Sequence, residues 1–360
     1  MDSIALRIQP FGDLELAILL SLVAEQHCII TTQHRLLDDV AQNLRLISSQ
    51  VFGLTCVVVD CSASTTLDNF REGVLVDCPS SEEDHRSVLS PVPSSHASRR
   101  QSLFRHESGL SNTLDERRVA NIVVTKDLNL ASHNVQTQAL ELIRTRRLFS
   151  HTAMHAASKD FLFVSLQISS SPKLSRHLND LFAISHHHSS EDTLYESNEN
   201  VDYTATSIQS LAVPSEHLKR HSDPKDAHRP PVINHTDISH LRAAAAKVKI
   251  SAEVATYLHN VALFLRLSRF VSGGVTALAT LQFRSIVRAL APLHDLTYCP
   301  PSLVALAARK VYPHRLILAT ATTESSLQWG SDPKAVSQLL EGMTAEDAIE
   351  DTLSSVQSPL

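Results

Sequence analysis

Residues 251–274 read SAEVATYLHNVALFLRLSRFVSGG. Ser251 can cap a helix through its side-chain oxygen, and Glu253 stands in the first turn, where the helix dipole favours an anion. Apolar residues then recur at Val254, Tyr257, Leu258, Val261 and Leu265, the spacing of a helix with one buried face. Ser272, Gly273 and Gly274 are expected to stop it, since glycine takes the left-handed conformation at little cost. A second helix is expected from Ala277 to Ala291, ended by Pro292. Pro300 and Pro301 suit the first turn of a third, Ser302 to Val311. The sum is a compact helical bundle.

Upstream, the pattern alternates. Leu14 to Val23 predicts a helix, His27 to Thr32 a strand, and Leu36, Leu37, Val40, Leu44 and Ile47 a second helix. Thr55 to Asp60 predicts a strand whose run of Val57, Val58 and Val59 suits one covered on both faces. Ala120 to Thr125 and Phe161 to Leu166 predict two more, separated by a helix through Val135, Ala139, Leu140 and Ile143. Helices and strands at this spacing imply parallel pairing.

The wording of the segments is similar to the magnesium-chelatase and MoxR branch of AAA+ ATPases. The likeness covers roughly residues 14–78, 115–186 and 237–320. It rests on Arg269-Phe270-Val271 before the Gly-Gly pair, on Tyr298-Cys299-Pro300-Pro301, on a helix closed by His314-Arg315-Leu316, and on Leu178-Asn179-Asp180-Leu181-Phe182. The resemblance implies a P-loop NTPase-like α/β core with a mostly parallel sheet, helices on both faces and a C-terminal all-α lid. It also implies ATP and Mg²⁺ as the family's cofactors and ATP-driven remodelling or metal insertion as its activity.

The residues that would run that chemistry are absent. The phosphate loop GxxxxGK[ST] would follow the first strand, where Thr31-Thr32-Gln33-His34-Arg35 stands without glycine or lysine; the first lysine of the chain is Lys126. By resemblance, Lys126 occupies the magnesium-linked aspartate position of the Walker B element, and Asp127 that of the catalytic glutamate, with Asn129 following. A lysine there repels Mg²⁺. Ile168 replaces the sensor asparagine, Leu181 the arginine that reaches across a subunit boundary, and Leu278 the lid arginine. No nucleotide cofactor is therefore expected. The leading reading is an interaction or scaffold protein whose partners are proteins, other AAA+ subunits of a mixed ring among them. The alternatives are an active ATPase subunit of a chelatase-like or MoxR-like remodelling complex using contacts such as Arg35 and Lys126, and a phospho-regulated adaptor acting through its linkers.

The expected organisation is a core in two halves, 1–78 and 119–186, interrupted by a Ser/Pro-rich insertion at 79–118. A His/Ser-rich linker at 187–236, a lid at 237–320 and a tail at 321–360 with a short acidic helix follow. The two polar stretches bury too little apolar surface to order themselves. Arg99-Arg100-Gln101-Ser102 has the spacing basophilic kinases accept, and His186-His187-His188 alternates direction on an extended segment, which argues against a metal site. A net charge of −6 and 5% aromatic residues give no support to nucleic-acid binding. Five cysteines without CxxC spacing suit a reducing, intracellular compartment, cytoplasmic or nuclear. No apolar run is long enough to span a bilayer.

Overall fold

The computed structural model describes residues 4–77, 117–150, 153–189, 231–324, 326 and 329–359. Ser102 and nearly all of the expected insertion and linker lie outside them. The chain opens with helices Ile4–Ile8 and Asp13–Ala24, then β1 (His27–Thr32), helix Leu37–Leu46, β2 (Cys56–Asp60) and helix Leu67–Val74. A small ribbon pairs β3 (Leu75–Val76) antiparallel with β4 (Arg118–Val119). β5 (Ile122–Lys126) and helix His133–Thr145 follow. A hairpin of β6 (Arg147–Phe149) and β7 (Met154–Ala156) leads to β8 (Leu162–Ile168) and β9 (Phe182–His188).

Five of these strands form one sheet in the order β2-β5-β8-β1-β9, and each neighbouring pair is parallel. Alternation sends successive side chains to opposite faces. Cys28, Ile30, Ile122, Val124, Val164 and Leu166 enter the cluster that also holds Leu14, Ile18, Leu44 and the lid residues. Ile29, Val123 and Phe163 enter the other, with Phe70, Val135 and Leu142 from the helices across the sheet. Burial of both faces explains why the central strands read as unbroken apolar runs. β2 departs from its expected role. It lies at the sheet edge, and Cys56, Val57 and Val58 are only half-buried.

The C-terminal bundle comprises helices His235–Lys247, Ala252–Leu267, Ala277–Leu293 and Pro301–Val311. Ser251 caps the second by accepting from Val254 N–H at 3.2 Å. The Gly-Gly pair does not end that helix. It stops at Leu267, because Ser268 turns to ψ 132°, and β10 (Val271–Gly273) then pairs antiparallel with β11 (Ile317–Leu318). Gly274 supplies a close approach: at φ +105° an added Cβ would overlap the Arg315 carbonyl. Pro292 lies within the last turn rather than beyond it, since the helix runs to Leu293.

Both ends of the polar linker are more ordered than the composition implies. His187 and His188 complete β9, and His235 already belongs to a helix capped by Asn234. In the tail, helices Pro333–Leu340 and Ala345–Ser355 replace the single helix expected. The second packs on the bundle through Ala348, Ile349 and Val356, and Arg309 pairs with Glu350 at 2.5 Å. Trp329, in the same tail, is 88% exposed.

Candidate functional site: the closed end of the sheet

In a parallel sheet the residues just past the strand C-termini form the natural ligand crevice. Here that edge gathers residues 31–35 at and just past the end of β1, residues 126–129 at the end of β5 and Ile168 at the end of β8. Registers Asp60↔Lys126, Lys126↔Leu166 and Thr32↔Ile168 bring them level.

The first connection is too short to cradle a phosphate. Gln33 alone separates β1 from a tight turn, His34–Leu36, which runs directly into helix Leu37–Leu46. Leu36 N–H donates to Gln33 O at 3.0 Å, and Leu37 N–H to His34 O. The Leu36 and Leu37 amides are thus spent within the turn rather than turned toward a ligand. Thr31 and Thr32 are tied to the neighbouring strand instead, Thr32 Oγ1 donating to His188 O at 3.1 Å and Thr31 Oγ1 reaching His186 O at 3.4 Å. Ser169 N–H covers Thr32 O at 2.9 Å. Arg35 is exposed and has no side-chain partner among the described residues.

Lys126 fills the space that this short turn leaves. Its ammonium donates to Asp38 Oδ1 at 2.8 Å and lies 2.5 Å from Asp60 Oδ1, while its own side chain is 18% exposed. The hydrogen bond and charge of Lys126 hold the Asp38 carboxyl below its ordinary range. Asp127 follows in the left-handed conformation, φ 50°, with its N–H on Leu166 O at 2.9 Å. Burial pushes its carboxyl upward, and Oδ1 is enclosed without a hydrogen-bond partner. Asn129 Nδ2 is held by Ser171 Oγ at 2.9 Å and Pro172 O at 2.8 Å, so it is a loop tether. Ile168 packs half-buried against the core.

Leu181 and Leu278 belong to a different place. Leu181 immediately precedes β9, whose first residue pairs with His27, so it lies at the opposite edge of the sheet from Lys126. Its carbonyl accepts from Gln282 Nε2 at 3.2 Å. Thr276, two residues before Leu278, donates to Asp180 Oδ1 at 2.8 Å and caps the helix by accepting from Ala279 N–H.

That edge carries a clamp which periodicity and motif spacing leave unseen. Arg315, 3% exposed, donates to Asp180 Oδ1 at 2.9 Å, to Phe182 O at 2.5 Å and to Gln282 Oε1. Burial draws its pKa down to about 10, against the opposing pull of Asp180. His314 Nε2 reaches the same Phe182 carbonyl at 2.8 Å, Asn179 Nδ2 donates to His314 O at 3.0 Å, and Lys173 Nζ donates to Leu316 O at 3.1 Å. Core and bundle are thus joined directly by these side chains. The one sequence signal for it is the pair Asp180 and Arg315, two charges set among apolar neighbours.

Among the described residues no group of three or more His, Cys, Asp or Glu could hold a metal ion. The rings of His186 and His188 lie 6.2 Å apart on the buried side of β9, with His187 between them facing out. No helix among the described residues is long and apolar enough to cross a membrane.

No family model matches the chain. It is 28% identical over 115 residues to the maintenance of telomere capping protein 2 of Lachancea thermotolerans, a match spanning 31% of this chain and 40% of the relative's length. A crystal structure of a Cytophaga hutchinsonii protein assigned as an ATPase superposes with a TM-score of 0.60 at 13% identity, covering 95% of this chain and 88% of that one. The architecture is that of a P-loop NTPase-type α/β core, a mostly parallel sheet covered on both faces, with a helical C-terminal region.

Proposed function

We propose that the chain is an AAA+-like protein of the magnesium-chelatase and MoxR kind that has exchanged nucleotide binding for internal ion pairing and acts as an interaction or scaffold subunit. The observation that carries this reading is Lys126 seated between Asp38 and Asp60. In an ATPase of this fold that edge needs an anionic ligand for Mg²⁺ and free amides for phosphate. Here, by the resemblance, a cation stands at the metal position, and the Leu36 and Leu37 amides are bonded within a turn.

Arg315 and its partners support the same reading. A lid that closes over nucleotide must be free to move, whereas this one is fixed to the core by a buried arginine. Such a rigid body suits a role in displaying surfaces to protein partners. The likeness to a protein named for telomere capping gives that role a first setting to examine, in the nucleus.

The test is binding of ATP, with and without Mg²⁺, by calorimetry and thermal shift on the full chain. A ligand bound at about 10 µM adds nearly 3 kcal/mol to stability at 1 mM. The expected result is no shift attributable to this edge. A shift abolished by Lys126→Ala or Arg35→Ala would overturn the proposal and restore the ATPase reading.

A further inference from the structure

At the edge of the sheet where the strands begin, away from Lys126, an open cavity of about 450 Å³ lies among the end of helix Asp13–Ala24, helix His235–Lys247 and helix Ala277–Leu293. Its polar lining is Glu25, Lys159, Ser239, Arg242, Ser285 and Arg288. The alanines Ala243, Ala245, Ala246 and Ala289 leave the room.

The charges of this lining are unequally matched. Arg242 is fully engaged: it donates to Asp160 Oδ1 at 2.5 Å and to Leu22 O at 3.0 and 2.8 Å, with Glu25 Oε1 3.7 Å from its Nε. Asp160, only 4% exposed, also takes His235 Nδ1. That network consumes both acids. Lys159 and Arg288 remain with no side-chain hydrogen bond or ion pair among the described residues, and Arg288 Nε is enclosed without an acceptor. A buried donor without a partner is unfavourable unless something accepts from it. The hydroxyls of Ser239 and Ser285 are likewise unengaged.

We propose that this cavity binds a phosphate group carried on a small molecule. Two free cations and two hydroxyls give a donor set in excess, and the guanidinium fork matches an oxyanion in two-point geometry. Inorganic phosphate fills only part of a cavity of 450 Å³, which leaves room for a substituent over the alanine floor. The site is separate from the sheet end occupied by Lys126 and does not depend on the function proposed for it.

The experiment titrates the purified full chain with inorganic phosphate, phenyl phosphate and, as a carboxylate control, acetate, followed by calorimetry. Phenyl phosphate is expected to bind more tightly than phosphate, with no heat of binding from acetate. Arg288→Ala and the exposed Lys159→Gln should each weaken binding at least tenfold, while Arg284→Ala, an exposed neighbour on the same helix, should not. An ATP response that survives Lys126→Ala but is lost in Arg288→Ala would also belong to this cavity. Absence of phosphate binding, or binding unchanged in both Arg288→Ala and Lys159→Gln, would overturn the assignment.

Discussion

Lys126 at the end of β5 and Asp38 in the first turn of helix Leu37–Leu46 are joined by a 2.8 Å hydrogen bond across the crevice past the C-terminal ends of the strands. The pair ties the strand to the helix that follows β1 and so helps to close the sheet end.

Lys126→Met leaves Asp38 and Asp60 facing one another without a cation. Both acids are largely exposed, 84% and 75% for their side chains, so the loss is that of a surface cluster, about 1 kcal/mol or less. Asp38 is held below its ordinary 3.8, and its contribution is therefore present above that value and lost as pH falls through its lower folded value. Urea midpoints of parent and variant should differ at pH 7 in low salt and converge in high salt and near pH 2. A gap that persists in acid would mean that the lysine acts through packing alone.

Arg315→Met should be far more costly. The arginine is buried and serves Asp180, Phe182 O and Gln282 together, so its removal takes the cation from Asp180, leaves Thr276 and His314 as the remaining partners of that carboxylate and of the Phe182 carbonyl, and strands Gln282 Oε1. Breaking one side of such a pair costs about 3–5 kcal/mol. Arg315→Lys should not restore it, since one ammonium cannot span acceptors set for a fork. Urea unfolding together with protease cleavage between core and bundle checks both claims. A loss below about 1 kcal/mol with no new cleavage would show that apolar packing holds the lid without the clamp.

The difference between those two ion pairs also marks how far the sequence could be read. Four of the five sheet strands were legible, the central ones because two-faced burial makes residues 122–124 and 162–166 continuously apolar, whereas β9 was not, since its second half is Ser185 and three histidines. Three of the four bundle helices were legible, from Ser251 as a cap, from Pro292 near the end of the next and from Pro301 in a first turn, whereas helix His235–Lys247 begins inside the expected linker. Lys126 could be assigned a position but not a partner, since nothing in periodicity says that a lysine at residue 126 meets acids at 38 and 60. Arg315 was hidden for the same reason, its partners lying 33 to 135 residues away. Gly274 misled in a different way: the Gly-Gly pair reads as a helix stop, whereas the glycine is required by the carbonyl of Arg315 that passes over it. β2 misled because an edge strand can be as rich in valine as a central one.

Acid sensitivity should come chiefly from His27 and His314. Burial, aided by Arg146, lowers His27 from 6.5 to about 3, and its Nδ1 accepts from Phe163 N–H at 3.0 Å, a bond only the neutral ring can make. Burial, aided by Arg315, lowers His314 to about 3 as well. As pH falls below 6.5 the unfolded chain takes up two protons that the folded chain refuses. Stability therefore declines on acidification from 6.5 toward 3, at about 1.4 kcal/mol per pH unit for each ring at full slope. Asp38 adds nothing in the upper part of this window, because its own loss begins near 3.8. Glu15 and Asp127, both raised by burial, act in the opposite sense above their ordinary 4.5 and 3.8, and they cancel when the parent is compared with its histidine variants. His27→Asn keeps an acceptor for Phe163 N–H, and His314→Gln keeps a donor for Phe182 O; each should flatten the slope by about one proton, and the double variant by about two. Urea midpoints at half-unit steps of pH would measure this, and a double variant as acid-sensitive as the parent would place the titrating groups elsewhere.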